Sequence, residues 1–252
     1  MDLRVAAVVG FAAGGLGGLF GVGGGLIIVP GLVGWAKMDR RLAHGTSLAA
    51  TLPIAVASLL TYAGHGNVDW IVALFLAIGS VAGAVIGTKL LTVIPKRPLI
   101  ILFVITVLAT AIRLFGTPEA TGRADLTVAS VGALIVVGLV TGTLAGLLGI
   151  GGGVIMVPAL VVGFGEIPVI AKGTSVAVIV PTSIMGTMRN LRHGNTDLRV
   201  AAAVGLTGVV SAVAGGILAD RISADVSNFM FAVLLLGVAA TQLATLRERP
   251  AR

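Results

Sequence analysis

The sequence predicts an all-α integral membrane protein made of two inverted repeats, each with a glycine-broken re-entrant segment and three transmembrane helices. Three observations predict this fold. With 57% hydrophobic and 11% charged residues, the 252-residue chain has too little polar surface to cover a globule in water. The chain also repeats its own motifs at a constant offset of 128 residues. Finally, its basic residues fall mostly on one side when the halves are placed in opposite orientations.

The internal repeat runs along the chain without a gap. The run Gly-Val-Gly-Gly-Gly at 21–25 recurs as Gly-Ile-Gly-Gly-Gly at 149–153, Gly-Thr-Ser at 45–47 recurs at 173–175, and His-Gly-Asn at 65–67 recurs at 193–195. We assign residues 1–118 to the first repeat and 119–252 to the second, with a polar linker at 116–125. A duplicated membrane segment that glycines interrupt at matching places predicts a transport site between the repeats.

The apolar segments follow one another with short polar connections. In the first repeat they are 5–36 (interrupted at the glycines), 42–63, 70–93 and 99–115. In the second they are 126–164 (interrupted at 149–153), 173–188, 198–219 and 226–246. Small residues at four-residue spacing, such as Gly10, Gly14 and Gly18, predict close packing between helices in lipid.

The segment 5–36 is too long for one straight crossing. As a single helix it would measure about 48 Å, against a hydrocarbon core of about 30 Å. Divided at the glycines, its arms measure about 24 and 17 Å, so each is too short to span. We therefore expect two half-helices that meet near mid-membrane as a re-entrant hairpin, with the freed backbone facing protein or a watery cavity.

The lysine and arginine positions favour inverted halves. If the broken segments crossed the membrane once, the 17 basic residues would divide nine to eight, which gives no orientation. If the broken segments return to their starting side, thirteen basic residues share one side. The four on the other side are Arg113, Arg123, Lys172 and Arg221. We therefore predict a multi-pass protein of the plasma (inner) membrane with both termini cytoplasmic.

These motifs give the chain a family resemblance. It resembles the sulfite exporter TauE/SafE family of membrane permeases in the glycine run with Pro30, in Gly-Thr-Ser after each broken segment, and in His-Gly-Asn in each half. The resemblance covers most of the chain. It implies a permease that moves small oxyanions, such as sulfite or organosulfonates, across the plasma membrane, with export as the expected direction.

The glycine runs are the candidate substrate site. Each run presents successive backbone N–H groups without side chains, and the positive end of the following half-helix points at the same place. The six residues are Gly23, Gly24, Gly25, Gly151, Gly152 and Gly153. Two such turns around a pseudo-two-fold axis predict an anion cradle with little formal charge.

Polar side chains near the runs add further candidates. Thr46, Ser47, Thr174 and Ser175 open the segments that follow, where helix capping and substrate contact are both open. Candidate gating or mouth residues are His44, Lys172, His65, Asn67, His193 and Asn195. Lys172 replaces the His44 of the first half, and we expect it among the lipid headgroups, with anion attraction at the mouth as the alternative. The other two histidines are expected in polar turns at the membrane surface, with a place in the permeation path as the alternative.

Composition restricts the partners and the chemistry. The net charge of +7 is assigned to membrane orientation, because no basic stripe interleaved with aromatic residues predicts nucleic-acid binding. No cofactor and no metal site are expected, and the absence of cysteine excludes thiolate chemistry. The expected partners are a small inorganic or organic anion and the lipid bilayer, while a homo-oligomer is left open.

Other function classes remain as alternatives. Asp69, Asp197, Glu166, Asp220 and Asp225 lie at segment ends, so no carboxylate is expected mid-membrane and efflux without proton coupling is favoured. The protein is not expected to be an enzyme, because a hydrolase would have no use for the duplicated serine of its Gly-Thr-Ser motifs. An anion channel stays open, as does a non-transporting scaffold subunit, although a scaffold needs no glycine breaks at matching depth.

Overall fold

The computed structural model describes residues 3–90, 101, 104, 105, 108, 112, 122 and 126–247. The helices are α1 (Leu3–Phe20), α2 (Gly25–Gly34), α3 (Arg40–Gly64), α4 (Trp70–Leu90), α5 (Val128–Leu148), α6 (Gly153–Pro158), α7 (Pro168–Arg192), α8 (Leu198–Arg221) and α9 (Ala224–Arg247). A π-helical turn, Ala159–Gly163, continues α6. Most of the predicted segment 99–115 and linker 116–125, with the repeat boundary and both chain ends, lies outside the described residues.

Six of these helices are long and apolar enough to cross a membrane, namely α1, α3, α4, α5, α7 and α8. Across the described ranges, the regular secondary structure is helical, and the single β-bridge joins Gly122 to Glu166. The prediction of an all-α integral membrane protein is therefore confirmed. Many large apolar side chains, among them Phe11, Leu60 and Leu206, are exposed on the outer surface, as a lipid-facing surface requires.

Aspartates begin several of the helices. The Asp39 carboxylate accepts hydrogen bonds from the N–H groups of Arg41 and Leu42 at the start of α3. Asp69 and Asp197 do the same at the starts of α4 and α8. These side chains satisfy donors that have no partner within the helix, so the carboxylates at these segment ends are N-caps.

The two repeats pack into each other. The most extensive helix contacts join α1 to α8 and α4 to α5, so each pairs one helix from each repeat. A Cβ placed on Gly10, Gly14 or Gly18 would overlap a backbone carbonyl oxygen of α8. The predicted glycine ladder is therefore a helix–helix seam. Residue numbers rise together along this seam, so α1 and α8 run parallel.

Helices α3 and α7, which occupy equivalent places in the repeat, run in opposite directions. Gly45 lies against the Asn190 side chain near one end of the pair, and Gly173 lies against Tyr62 near the other. Between these points, Gly186 of α7 contacts Leu48 of α3. Because the numbering rises in one helix as it falls in the other, the pair is antiparallel.

The chain reverses at each glycine run. A Cβ on Gly24 would lie 2.6 Å from the Ala13 carbonyl oxygen, and one on Gly31 would lie 2.8 Å from the Val9 side chain, so α2 runs back along α1. The expectation that both arms are too short to span is wrong for the first arm. Helices α1 and α5 contain 18 and 21 residues and are long enough to cross, and α1 begins at Leu3, two residues before its expected segment. The second arms stay short, and α2 has 10 residues.

Candidate functional site

The two glycine turns share one backbone conformation. In both, the first three of the four glycines are left-handed, a conformation that only glycine adopts at low cost. Their φ angles are 69°, 70° and 80° at Gly21, Gly23 and Gly24, and 66°, 77° and 81° at Gly149, Gly151 and Gly152. Gly24 and Gly152 lie immediately before α2 and α6 as their N-caps. The sequence pattern therefore encodes the same sharp turn into a helix twice.

Both turns leave backbone donors unpaired inside the protein. Among the described residues, no hydrogen bond uses the N–H groups at 23–26 or at 151–154. The carbonyls of the same turns are occupied, because Gly24 accepts from Ile27 and Ile28, and Gly152 accepts from Ile155 and Met156. All eight donors belong to buried residues. A helix start leaves its first N–H groups without partners, and those groups carry the positive end of the helix dipole.

The turns meet in the interior of the protein. A Cβ on Gly25 would lie 2.8 Å from the carbonyl oxygen of Gly149, and one on Gly153 would lie 2.7 Å from that of Gly21. These two contacts are related by exchange of the repeats, as a pseudo-two-fold axis requires. The structure therefore brings together the six glycines that the sequence analysis selected, and we call this place the glycine crossing.

The glycine crossing is bordered by one polar and one apolar side chain. A Cβ on Gly23 would lie 2.9 Å from Thr51 and 3.1 Å from Ile179, and these two residues are equivalents in the repeat. Thr51 is fully buried, and its hydroxyl has no hydrogen-bond partner. A buried hydroxyl without a partner is costly, so this position calls for a polar guest.

The Gly-Thr-Ser hydroxyls tie each turn to the opposite repeat. Ser47 Oγ donates to the Gly149 carbonyl at 2.8 Å, and Ser175 Oγ donates to the Gly21 carbonyl at 3.0 Å. Both serines are buried, and each gives its single hydroxyl proton to a glycine turn. In this conformation they hold the turns in shape.

The threonines of the same motifs act at the ends of other helices. Thr46 Oγ1 accepts from the Asp197 N–H at 2.9 Å, and Thr174 Oγ1 accepts from the Asp69 N–H at 3.0 Å. The interpretation that these hydroxyls cap their own helices is wrong, because α3 and α7 begin earlier. Asp39 caps α3, and Pro168 stands at the start of α7, where its fixed φ suits a helix.

A comparison with known families assigns the chain. The family model described as "Sulfite exporter TauE/SafE" matches residues 2–114 and 134–252. The chain belongs to this family. TauE/SafE proteins are membrane transporters, so this protein is a multi-pass membrane permease.

Individual relatives agree with this assignment. The "Probable membrane transporter protein YunE" of Bacillus subtilis (strain 168) is 29% identical over 230 residues, covering 81% of this chain and 84% of the relative. A "Probable membrane transporter protein" of Xylella fastidiosa (strain 9a5c) is 29% identical over 243 residues, covering 92% and 90%. A probable membrane transporter protein of Methanocaldococcus jannaschii is 32% identical over 205 residues, covering 77% and 74%. No solved structure matches the chain.

The His-Gly-Asn motifs of this TauE/SafE protein form surface turns away from the glycine crossing. His65 Nδ1 lies 2.7 Å from the Thr61 carbonyl oxygen, and His193 Nδ1 lies 2.6 Å from that of Arg189, so both exposed imidazoles bond to the last turn of their own helix. The following asparagines, Asn67 and Asn195, close the same turns through their backbone N–H groups.

The His-Gly-Asn and Gly-Thr-Ser motifs belong to one contact, which the sequence alone did not predict. A Cβ on Gly45 would overlap the carbonyl oxygen of Asn195, and a Cβ on Gly173 would overlap that of Asn67. The turn that ends α3 therefore packs on the start of α7, and the turn that ends α7 packs on the start of α3. The only signal in the sequence was that both motifs recur with the same spacing.

The position before Gly-Thr-Ser differs between the halves of this TauE/SafE protein. His44 Nδ1 lies 2.6 Å from the Leu148 carbonyl oxygen at the end of α5. Its equivalent, Lys172, is 2% exposed, and its ammonium group contacts Ser227 Oγ and the face of the Phe20 ring, 6.0 Å from the centroid. The expectation of Lys172 among the headgroups is wrong, because Phe20 and Ser227 enclose its side chain.

Two further polar features were not anticipated. Ser80 and Thr182 form a buried hydroxyl pair at 2.8 Å between α4 and α7. Glu166 lies at a segment end, as expected, but it is fully buried. In the part of the chain that the structure describes, no group of three or more metal-ligating side chains is present.

Proposed function

We propose that the protein moves small oxyanions of the sulfite or organosulfonate type across the plasma membrane, in the direction of export. The observation that carries this proposal is the glycine crossing, where two buried turns with unpaired N–H groups meet. An anion that enters lipid must exchange its hydration for other donors, and helix-start N–H groups are suited to this task.

The donor set favours an anion over a cation. The glycine crossing offers N–H groups, the positive ends of α2 and α6, and the Thr51 hydroxyl. A site for a hard cation would need several carbonyl or carboxylate oxygens directed at one point. The Gly21 and Gly149 carbonyls accept from serines instead. Sulfite as the cargo follows from the family name, and the donors suit a small oxyanion in general.

We further propose that residues 1–118 and 119–252 form inverted repeats, with both termini cytoplasmic. The antiparallel course of α3 and α7 supports the inversion. The parallel pairing of α1 with α8 supports it as well, because their equivalents, α5 and α4, also pair with each other. The division of basic residues, thirteen against four, supports the orientation.

Export needs no coupling ion in this proposal. Moving a negative charge out of a cell with a negative interior gains about 2.3 kcal/mol per charge per 100 mV. We therefore expect that collapsing the membrane potential slows efflux more than collapsing the pH gradient. The reverse order, measured in vesicles with selective ionophores, would contradict potential-driven export and favour proton coupling.

The decisive experiment is counterflow of radiolabelled sulfite into proteoliposomes preloaded with unlabelled sulfite, organosulfonates or carboxylates. Transient accumulation of label shows a carrier, while equilibration without accumulation shows a channel. If neither is seen, the protein moves none of these anions, and the proposed function fails.

A matched pair of variants tests where the anion binds. Gly151→Leu places a side chain in the crossing, beside Thr51, whereas Gly66→Leu adds the same side chain on equally left-handed backbone after α3, where a Cβ meets nothing within 4 Å. We expect flux to be lost in the first variant and kept in the second, with both recovered from membranes as folded protein. Equal flux would remove the glycine crossing as the site.

A further inference from the structure

The repeat breaks its symmetry beside one glycine turn. A Cβ on Gly21 would lie 2.6 Å from Lys172 Cα, so the lysine backbone packs directly on the turn. On the other turn, a Cβ on Gly149 would lie 2.8 Å from His44 Cα. The backbone arrangement is therefore the same, and only the side chain changes from an imidazole to an ammonium group.

The ammonium group of Lys172 is only partly compensated. In the described part of the chain, it contacts a hydroxyl oxygen, Ser227 Oγ, and the face of the Phe20 ring. Neither group carries a full negative charge, and an ammonium group removed from water needs one. Lys172 is 2% exposed and Ser227 is 3% exposed, so solvent does not replace the missing charge.

The surroundings of this ammonium group are apolar. Phe20 stacks on Phe231 with ring centroids 5.3 Å apart and an interplanar angle of 22°. Both rings are buried. Because the local dielectric constant is low, the attraction between the ammonium group and an anion is stronger here than at the protein surface.

Lys172 is not needed to hold the turn. Ser175 already donates to the Gly21 carbonyl at 3.0 Å. At the equivalent place, His44 Nδ1 bonds to the backbone at the end of α5, so the first half uses this position for the fold. In the second half, the side chain crosses instead to α9, where Ser227 lies.

We propose that Lys172 and Ser227 form an anion-binding position beside the Gly21 turn, which takes the transported oxyanion between the glycine crossing and the membrane side opposite the termini. The anion binds to the ammonium group and the hydroxyl together, so its negative charge compensates the buried cation. This inference rests on the proposed function for the identity of the anion, but its binding is measurable without transport.

The test compares Lys172→Met with Lys172→Arg, Ser227→Ala and the control Lys89→Met, which removes the same charge from an exposed position in the last turn of α4. The first readout is the half-saturating sulfite concentration in counterflow. The second is the rise in thermal unfolding midpoint when sulfite or sulfate is added to purified protein.

We expect Lys172→Met to raise the half-saturating concentration about tenfold or more and to abolish the midpoint rise, because a charge-assisted contact is lost. Ser227→Ala is expected to weaken binding about threefold, while Lys172→Arg and Lys89→Met bind as the unmodified protein does.

The outcomes separate the anion position from the proposed transport function. Unchanged half-saturation in Lys172→Met, or in Ser227→Ala should the methionine variant fail to fold, overturns the anion position. A sulfite-dependent midpoint rise that Lys172→Met abolishes, in a protein without flux, keeps the anion position and rejects transport. Neither flux nor stabilisation by sulfite or sulfate in the unmodified protein rejects both.

Discussion

The two halves of this molecule share the backbone of their glycine turns and differ in several of the side chains around them. The shared features are the left-handed glycines, the serine bonds to the opposite turn and the threonine bonds to the opposite helix start. Four polar positions that differ between the halves are His44 and Lys172, Thr51 and Ile179, Tyr62 and Asn190, and Ser80 and Gly208. The two-fold arrangement therefore belongs to the backbone donors of the turns, while side-chain chemistry distinguishes the two halves.

Tyr62 and Asn190 show what such a difference does. The Tyr62 hydroxyl donates to the Gly18 carbonyl at 2.7 Å, so α3 is tied to the end of α1. Asn190 Nδ2 donates to the Gly186 carbonyl of its own helix at 2.9 Å. The first half therefore has a bond between helices where the second half has one within a helix, and the two ends of the α3–α7 pair are held differently.

The largest expected effect tests what the halves share. Gly45→Ala and Gly173→Ala each place a methyl group on a backbone carbonyl of the opposite repeat. We expect each change to cost about 3 kcal/mol or more, because neither backbone can withdraw without moving a helix end. The measurement is the yield of monodisperse protein in mild detergent and its unfolding midpoint.

Gly34→Ala and Gly163→Ala are the controls for this pair, since a Cβ there meets nothing within 4 Å. These variants are expected to keep the yield of the unmodified protein. Tolerance of one interface variant beside loss of the other would show that the two reciprocal contacts are not equivalent.

A smaller effect separates the two glycine turns. Gly24→Ala and Gly152→Ala both force alanine into a left-handed conformation, but the new Cβ lies 2.6 Å from the Ala13 carbonyl oxygen in the first case and 3.2 Å from that of Thr141 in the second. We expect a cost of about 1–2 kcal/mol for Gly152→Ala and about twice that for Gly24→Ala. Thermal unfolding in detergent measures both, and equal losses would mean that the turns have the same space around them.

The serine bonds provide a test of equality. Ser47→Ala and Ser175→Ala each leave a buried carbonyl oxygen of a glycine turn without its donor, at a cost of about 1–3 kcal/mol. We expect the two losses to agree closely. Ser58→Ala is the control, because this buried hydroxyl donates within its own helix, to the Ile54 carbonyl. A loss in the control as large as in either variant would show that the bonds between repeats add nothing special.

The smallest expected effect concerns the hydroxyl pair between α4 and α7, which has no counterpart at the equivalent place in the repeat. Ser80 and Thr182 bond at 2.8 Å, while the equivalent place holds Gly208 against Ile54. A double-mutant cycle with Ser80→Ala and Thr182→Val is expected to give a coupling energy of about 0.6 kcal/mol, as is typical between membrane helices. Thr182 also donates to the Val178 carbonyl at 2.7 Å, which keeps the coupling small. A coupling of zero would show that the pair is incidental.

Local patterns in the sequence predicted most of the fold. Apolar length located the membrane helices, and the glycine runs located the two turns, because left-handed backbone is a requirement of the chain itself. The contacts of Ser47 and Ser175 were not predictable in this way. They join residues 102 and 154 positions apart, and nothing local in the sequence specifies such a partner.

The burial of Lys172 was also not predictable from the sequence. Its position near the beginning of an apolar segment is typical of a headgroup lysine. Which way the side chain turns depends on Phe20 and Ser227, which come from distant parts of the chain. The length of the first arm was also misjudged, because α1 begins at Leu3, two residues before the apolar segment was expected to begin.

The reciprocal packing of the Gly-Thr-Ser and His-Gly-Asn motifs has a consequence for biogenesis. The hydrogen bond between Thr46 and Asp197 joins residues 151 positions apart. A ribosome must therefore deliver most of the second repeat to the insertion machinery before the first can close. Until then the start of α3 lacks its contacts with the second repeat, so the two repeats complete their fold together and late in synthesis.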